Sequence, residues 1–200
     1  MTRIVVLLSG TGSLYGALQS AVDAGEVPVD IAAVLSDRAD ALGLRRARGA
    51  GRPVEIVSPA DFPDRVRWDD AVAATLQRHS PDWIVSAGFM RVLGAPVIEA
   101  FPGRIINCHP ALLPAFPGAH AVRDALAAGV KVTGSTIHIV DAGVDTGPVI
   151  AQRAVTIADD DDESTLHERI KGVERELLVD TVRRLARHGC TIHGRRVTIP

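Results

Sequence analysis

The chain has 200 residues, 46% of them hydrophobic, which supplies one substantial core and fits one domain. A formal net charge of -2, with no Lys/Arg cluster interleaved with aromatics, argues against a nucleic-acid groove while leaving local anion sites open. Two cysteines, Cys108 and Cys190, make no disulfide framework and point to a reducing cytoplasm, and the apolar run at 4–8 is far too short to span a membrane.

Short aliphatic runs at 4–8, 31–35, 54–57, 83–85 and 105–107 alternate with Ala-, Arg- and Leu-rich stretches at 13–24, 41–49 and 65–79. That alternation predicts a parallel sheet wrapped by helices, and strands so uniformly apolar are buried on both faces. The pattern changes after Pro114: a Pro/Gly loop, a helix near 121–128, then two longer strands at 131–140 and 149–157 around a turn holding Gly143 and Gly147. This half is expected to be mixed or antiparallel. A long helix follows from Ser164, taken as its N-cap, to about His188, with Leu166, Ile170, Val173, Leu177 and Leu178 on one face. The acidic run at 159–163 reads as a solvated loop favoured by the helix dipole, and residues 191–199 as a short strand or hairpin. The fold expected is a single α/β domain with a Rossmann-like, mostly parallel sheet, antiparallel additions and helices on both faces. Within it, residues 1–100 form the phosphate-binding half, 101–188 the catalytic and ligand-binding half, and 189–200 an extension.

Ser9-Gly10-Thr11-Gly12-Ser13 lies where the first strand gives way to the first helix, so free N–H groups and the helix dipole face one concavity. A phosphomonoester suits that place. A dinucleotide reading competes, because Gly10-x-Gly12 begins that fingerprint and Asp37 ends the second strand, but Gly16 follows Gly12 after three residues instead of two. A plain strand-to-helix turn is the structural alternative.

Asn107 and His109 share one side of a strand end, with Cys108 turned to the other, because side chains alternate along a strand. The amide can donate to a developing oxyanion and the imidazole can move a proton near neutral pH, which suits carbonyl chemistry. Cys108 is then a small core residue. A downstream Asp can orient that imidazole and raise its pKa; Asp145 and Asp141 both qualify by position, and either can instead cap a turn. His120 and His138 could each contact an anion but read more simply as packed or solvent-facing, and no His/Cys pair has metal-ligand spacing.

Together these segments resemble the folate-dependent formyltransferases. The matching stretches are the glycine turn at 9–13, Ser86-Ala87-Gly88-Phe89-Met90-Arg91-Val92-Leu93, the run from Asn107 to Gly118 with its paired prolines, Thr133-Gly134-Ser135-Thr136-Ile137-His138, and Asp145-Thr146-Gly147-Pro148. The resemblance implies transfer of the formyl group of 10-formyltetrahydrofolate, as co-substrate, to the amine of glycinamide ribonucleotide. It implies a catalytic set of Asn107, His109 and Asp145, with Asp145 raising the His109 pKa. It places the ribonucleotide on Gly12, Ser13, Leu14, Tyr15 and Glu174, and the folate on Arg65, Met90, Arg91, Val92, Leu93 and Asn107, with no metal. Many members carry Asn where this chain has Leu14, so backbone donors must do more of the phosphate binding.

The same core serves formyltetrahydrofolate hydrolysis, the nearest alternative, and methionyl-tRNA and sugar-nucleotide formylation. The tRNA enzyme resembles this core plus a basic C-terminal domain and the hydrolase this core after a regulatory domain, so size favours the small ribonucleotide. From other classes, a nicotinamide-dependent oxidoreductase is left by Gly10-x-Gly12 and Asp37, though no Tyr-x-x-x-Lys pair accompanies them, and a phosphometabolite-binding module by the glycine turn. Expected partners are small molecules, without nucleic acid or membrane, on a monomer or homodimer.

Overall fold

The computed structural model describes all residues from Met1 to Pro200. Its centre is one nine-stranded sheet. In chain order the strands are β1 (Thr2–Leu8), β2 (Val29–Ser36), β3 (Val54–Ile56), β4 (Trp83–Ser86), β5 (Ile105–His109), β6 (Val132–Ile139), β7 (Val149–Thr156), β8 (Thr191–His193) and β9 (Arg196–Thr198). Six helices connect them: α1 (Ser13–Asp23), α2 (Leu42–Gly49), α3 (Arg65–Arg78), α4 (Ala95–Ala100), α5 (Ala121–Ala127) and α6 (Glu163–His188). Across the sheet the order is β3-β2-β1-β4-β5-β6-β7-β9-β8. The first five strands are parallel, while β6 and β7 are antiparallel additions.

The alternating pattern of β1 divides the core in two. Ile4, Val6 and Leu8 meet Leu18 of α1, Leu44 of α2 and Leu178 and Val182 of α6 on one face. Val5 and Leu7 meet Trp68, Val72 and Leu76 of α3 and Val97 of α4 on the other. Each fully buried aliphatic side chain contributes about 2 kcal/mol of hydrophobic stabilisation, so both helical layers are held strongly. The chain runs to β2 on one side of β1 and to β4 on the other, which opens a crevice at the carboxyl edge of the sheet.

Two details depart from the sequence reading, and a third makes it definite. The N-cap of α6 is Asp162, not Ser164: its carboxylate accepts from the Thr165 N–H at 2.8 Å, and the Thr165 hydroxyl accepts from the Asp162 N–H at 2.9 Å. A reciprocal box outcompetes a lone serine one turn position later. The short α4, beginning Ala95-Pro96, was not anticipated. The C-terminal segment is a hairpin, β8 against β9, that extends the sheet beyond β7. No helix is long and apolar enough to cross a membrane.

Candidate active site

At the end of β5, Ile106 and Cys108 point into the α1/α6 layer, while Asn107 and His109 point to the opposite side. The antiparallel register places His138 of β6 directly across from Asn107, and Thr136 across from His109. Asp145 enters from the loop between β6 and β7. Its Oδ2 is 3.3 Å from His109 Nδ1, its Oδ1 is 3.4 Å from His138 Nε2, and Asn107 Nδ2 lies 3.5 Å from the same Oδ1. One carboxylate thus sits between two imidazoles and an amide. The Gly118 N–H donates to Asp145 Oδ2 at 2.8 Å, and Asp145 itself adopts a left-handed conformation with φ 54°, a region in which Asp is better tolerated than most residues.

Each ring has a fixed orientation. His109 Nε2 donates to the Phe116 carbonyl at 2.8 Å, which leaves Nδ1 as the basic nitrogen facing Asp145. His138 Nδ1 donates to the Ile139 carbonyl at 2.9 Å, so its Nε2 can accept from Asn107 Nδ2 at 3.2 Å. The loop after β5 is itself anchored: the Thr136 hydroxyl donates to the Ala111 carbonyl at 2.6 Å and accepts from the Leu113 N–H at 3.1 Å, and Gln152 holds the Leu113 carbonyl at 2.8 Å.

Electrostatics partly revises the expectation for His109. Asp145 pushes its pKa up, as anticipated, but burial of the ring at 4% exposure outweighs that and the net shift is downward. For Asp145, burial raises the pKa, yet the His138 imidazole beside it, the hydrogen bond from the Gly118 amide and the His109 imidazole overcome it, and the carboxyl lies below its ordinary value. Asp141 has a different task. It caps its own turn, accepting from the Thr146 hydroxyl at 2.6 Å and the Gly143 N–H at 3.1 Å. The two aspartates that spacing could not separate are separated by geometry.

Gly12 is the N-cap of α1, at φ 68°, with no side-chain cap. The first intrahelical bond from that end is Gly16 N–H to Gly12 carbonyl at 2.8 Å, so the amides of Ser13, Leu14 and Tyr15 remain open to an anion. The side chains tell less for binding than the sequence suggested. Leu14 and Tyr15 are core residues, and the Tyr15 hydroxyl donates to Gln19 Oε1 at 3.0 Å with its pKa pushed up to about 12, mainly by burial. What they can offer a ligand is the backbone N–H, which has no intrahelical partner in the first turn. Glu174 is buried on the other face of β5 from His109, where Cys108 Sγ contacts its Oε1 at 3.4 Å and the Ser135 hydroxyl at 3.5 Å. Burial raises the pKa of Glu174 and, more strongly, that of Cys108, so the thiol is an inert core group with a polar neighbour.

On the folate-expected side, Met90 and Val92 are exposed, Leu93 is buried, Arg91 pairs with Asp37, and Arg65 donates to the Val92 carbonyl. Asp37 is therefore committed to an arginine and is not placed as a free ribose acceptor. His120 is exposed at the start of α5. Sequence reasoning weighed His138 only as an anion contact or a packed residue and did not place it with Asn107 and Asp145; the signal lay in the β5/β6 pairing, which requires a register that no local pattern supplies. No group of three His, Cys, Asp or Glu residues converges as a metal site.

A parallel sheet with a glycine turn after β1 and an Asn-x-His strand end facing a loop aspartate defines a one-carbon group-transfer fold, and the chain belongs to the formyl transferase family, whose model matches residues 2–182. It is 55% identical over 199 residues to a phosphoribosylglycinamide formyltransferase of Mycobacterium tuberculosis, covering 98% of this chain and 91% of the relative. A crystal structure of glycinamide ribonucleotide transformylase 1 from Symbiobacterium toebii superposes with a TM-score of 0.97 at 46% identity, over 100% of this chain and 94% of that one. A formyltetrahydrofolate deformylase from Pseudomonas syringae has a TM-score of 0.91 at 26% identity, over 99% of this chain and 65% of that one.

Proposed function

We propose that this protein transfers the formyl group of 10-formyltetrahydrofolate to the amine of glycinamide ribonucleotide, giving formylglycinamide ribonucleotide and tetrahydrofolate in purine biosynthesis. The observation that carries the reading is the Asp145 carboxylate set against the basic Nδ1 of His109, with the Asn107 amide alongside. A lone pair facing a carboxylate at 3.3 Å is a poised proton acceptor, because one proton between the two atoms relieves their repulsion. The amine nitrogen attacks the formyl carbon, and the carbonyl π electrons move to oxygen. Asn107 Nδ2, whose contact with Asp145 is long, turns one hydrogen to that oxyanion. The proton released by the attacking nitrogen passes to the His109–Asp145 pair and from there, directly or through a water, to N10 of the folate as the C–N bond breaks.

In this reading the substrate phosphate sits on the open amides of Ser13, Leu14 and Tyr15 beyond Gly12, Glu174 holds the substrate's amine end, and the pterin lies along the backbone of Met90, Arg91, Val92 and Leu93, with Arg65 beside it. The identity to the transferase relative, about twice that to the deformylase, favours transfer over hydrolysis. The two unpaired cysteines support a cytoplasmic setting.

The test is a two-substrate assay. Tetrahydrofolate release is expected only when 10-formyltetrahydrofolate and glycinamide ribonucleotide are both present; release without the amine assigns the hydrolase reaction, and release under neither condition removes the proposal. His109→Ala is expected to lower kcat by about 10²–10⁴-fold while the thermal midpoint moves little.

A further inference from the structure

The segment joining β4 to α4 contains the Met90–Leu93 backbone. The side chains of Met90 and Val92 are 72% and 53% exposed, so hydrophobic burial does not hold them. Three consecutive residues are nonetheless each tied to a different element. The Met90 N–H donates to Ser9 Oγ at 2.8 Å, just beyond β1, where the Ser9 N–H donates to the Gly88 carbonyl at 3.0 Å. Arg91 Nε donates to Asp37 Oδ2 at 2.9 Å, just beyond β2. The Val92 carbonyl accepts from the Arg65 guanidinium, whose Nε is held by Asp69 Oδ2 at 2.7 Å, both on α3. Asp69 also lies directly against Gly94, where a Cβ would come within 2.3 Å of its carboxylate.

Asp37 and Asp69 are both buried, and each keeps a buried Oδ1 with no hydrogen-bond partner. Such oxygens are unfavourable, and a buried ion pair is a weak source of stability compared with apolar packing. Folding energetics therefore leaves the two carboxylates unexplained. What they do achieve is geometric: each fixes an arginine that fixes one residue of an otherwise exposed backbone.

We propose that Asp37 and Asp69 are positioning residues for the folate, acting through Arg91 and Arg65 to hold the 90–93 backbone in its ligand-accepting form before the ligand arrives. This rests on the assignment of that backbone to the pterin. Ordering the loop in advance removes an entropic cost from binding, so the effect belongs in folate affinity and not in the chemical step. The side chains of Arg91 and Arg65 are about half exposed, at 48% and 51%, so losing an aspartate removes the buried charge and frees the arginine to water.

Asp37→Ala and Asp69→Ala remove the acceptors, and Asp37→Asn keeps an acceptor oxygen without the charge. In ligand-free protein, hydrogen exchange of the 90–93 amides is expected to accelerate about tenfold in the alanine variants and less in Asp37→Asn, with α1 and α6 unchanged. The KM for 10-formyltetrahydrofolate should rise about tenfold, with kcat and the KM for glycinamide ribonucleotide within about twofold of wild type. Unchanged loop exchange, or a fall in kcat with the folate KM unmoved, overturns the proposal. Should the alanine variants not fold, Asp37→Asn is judged by the same two readouts. Wild-type protein that transfers no formyl group would instead sink the folate assignment, while the exchange rates would still decide whether the aspartates fix the loop.

Discussion

Burial and charge pull the His109 imidazole in opposite directions, and burial prevails, so the ring is neutral at pH 7 and able to accept a proton. Its folded pKa lies below the unfolded value of about 6.5. The stabilising contribution of the neutral ring is therefore full above that value and is lost as the pH falls through the folded pKa. NMR titration should give a His109 midpoint below about 6.5, and Asp145→Asn should move it lower still by deleting the charge that raises it. A midpoint that moves upward in Asp145→Asn would show that the carboxylate is not the group acting on this ring. His109 also owes its orientation to the Phe116 carbonyl, which fixes the tautomer that leaves Nδ1 basic.

At the scale of elements, the glycine turn shows how closely packing and binding are joined. A Cβ on Gly12 would come 2.6 Å from Gly43 Cα, and the residue is left-handed, so Gly12→Ala would force α1 away from α2 while straining the backbone. The expected loss is about 2–4 kcal/mol, seen as a lowering of the thermal midpoint by roughly 5–10 °C. An unchanged midpoint would mean that the two helices part without cost. The strands of the parallel half were legible because each is a short apolar run bounded by turn residues, and Asn107 and His109 were legible because alternation alone pairs them. His138 was not, since its place opposite Asn107 depends on how two strands far apart in sequence align. By spacing alone Asp145 was legible only as one of two aspartates, the family resemblance choosing between them; the Thr146 hydroxyl that claims Asp141 becomes apparent only in three dimensions. Asp37 read as the acid of a dinucleotide fingerprint and Asp69 carried no signal in the sequence; their burial is a tertiary outcome.

Across the whole molecule, acidic groups act on stability in opposite pH windows. Asp161, brought to about 2 chiefly by its hydrogen bond with Arg169, and Asp145 have lowered folded values, so their contribution is present above about pH 4 and is lost as the pH falls through those values. Glu174 is raised by burial; its contribution is present below the unfolded value and is lost as the pH rises through the folded one. Glu174→Gln should therefore raise the thermal midpoint at pH 8, by about 3 °C, and much less at pH 4, with a loss of activity alongside. A midpoint lowered equally at both pH values would show that Glu174 is a structural group. The pleat of β5 gives this arrangement a further consequence. Asn107 and His109 face one side of the sheet, and Cys108, between them, faces Glu174 on the other. Two chemically distinct compartments are thus sorted by a three-residue stretch of main chain. A bulge or single-residue slip there would exchange their contents, presenting a thiol to the proton pathway and an imidazole to the buried carboxylate. The spacing of one strand's side chains acts as the partition wall of the site, and any insertion tolerated by this chain must fall outside it.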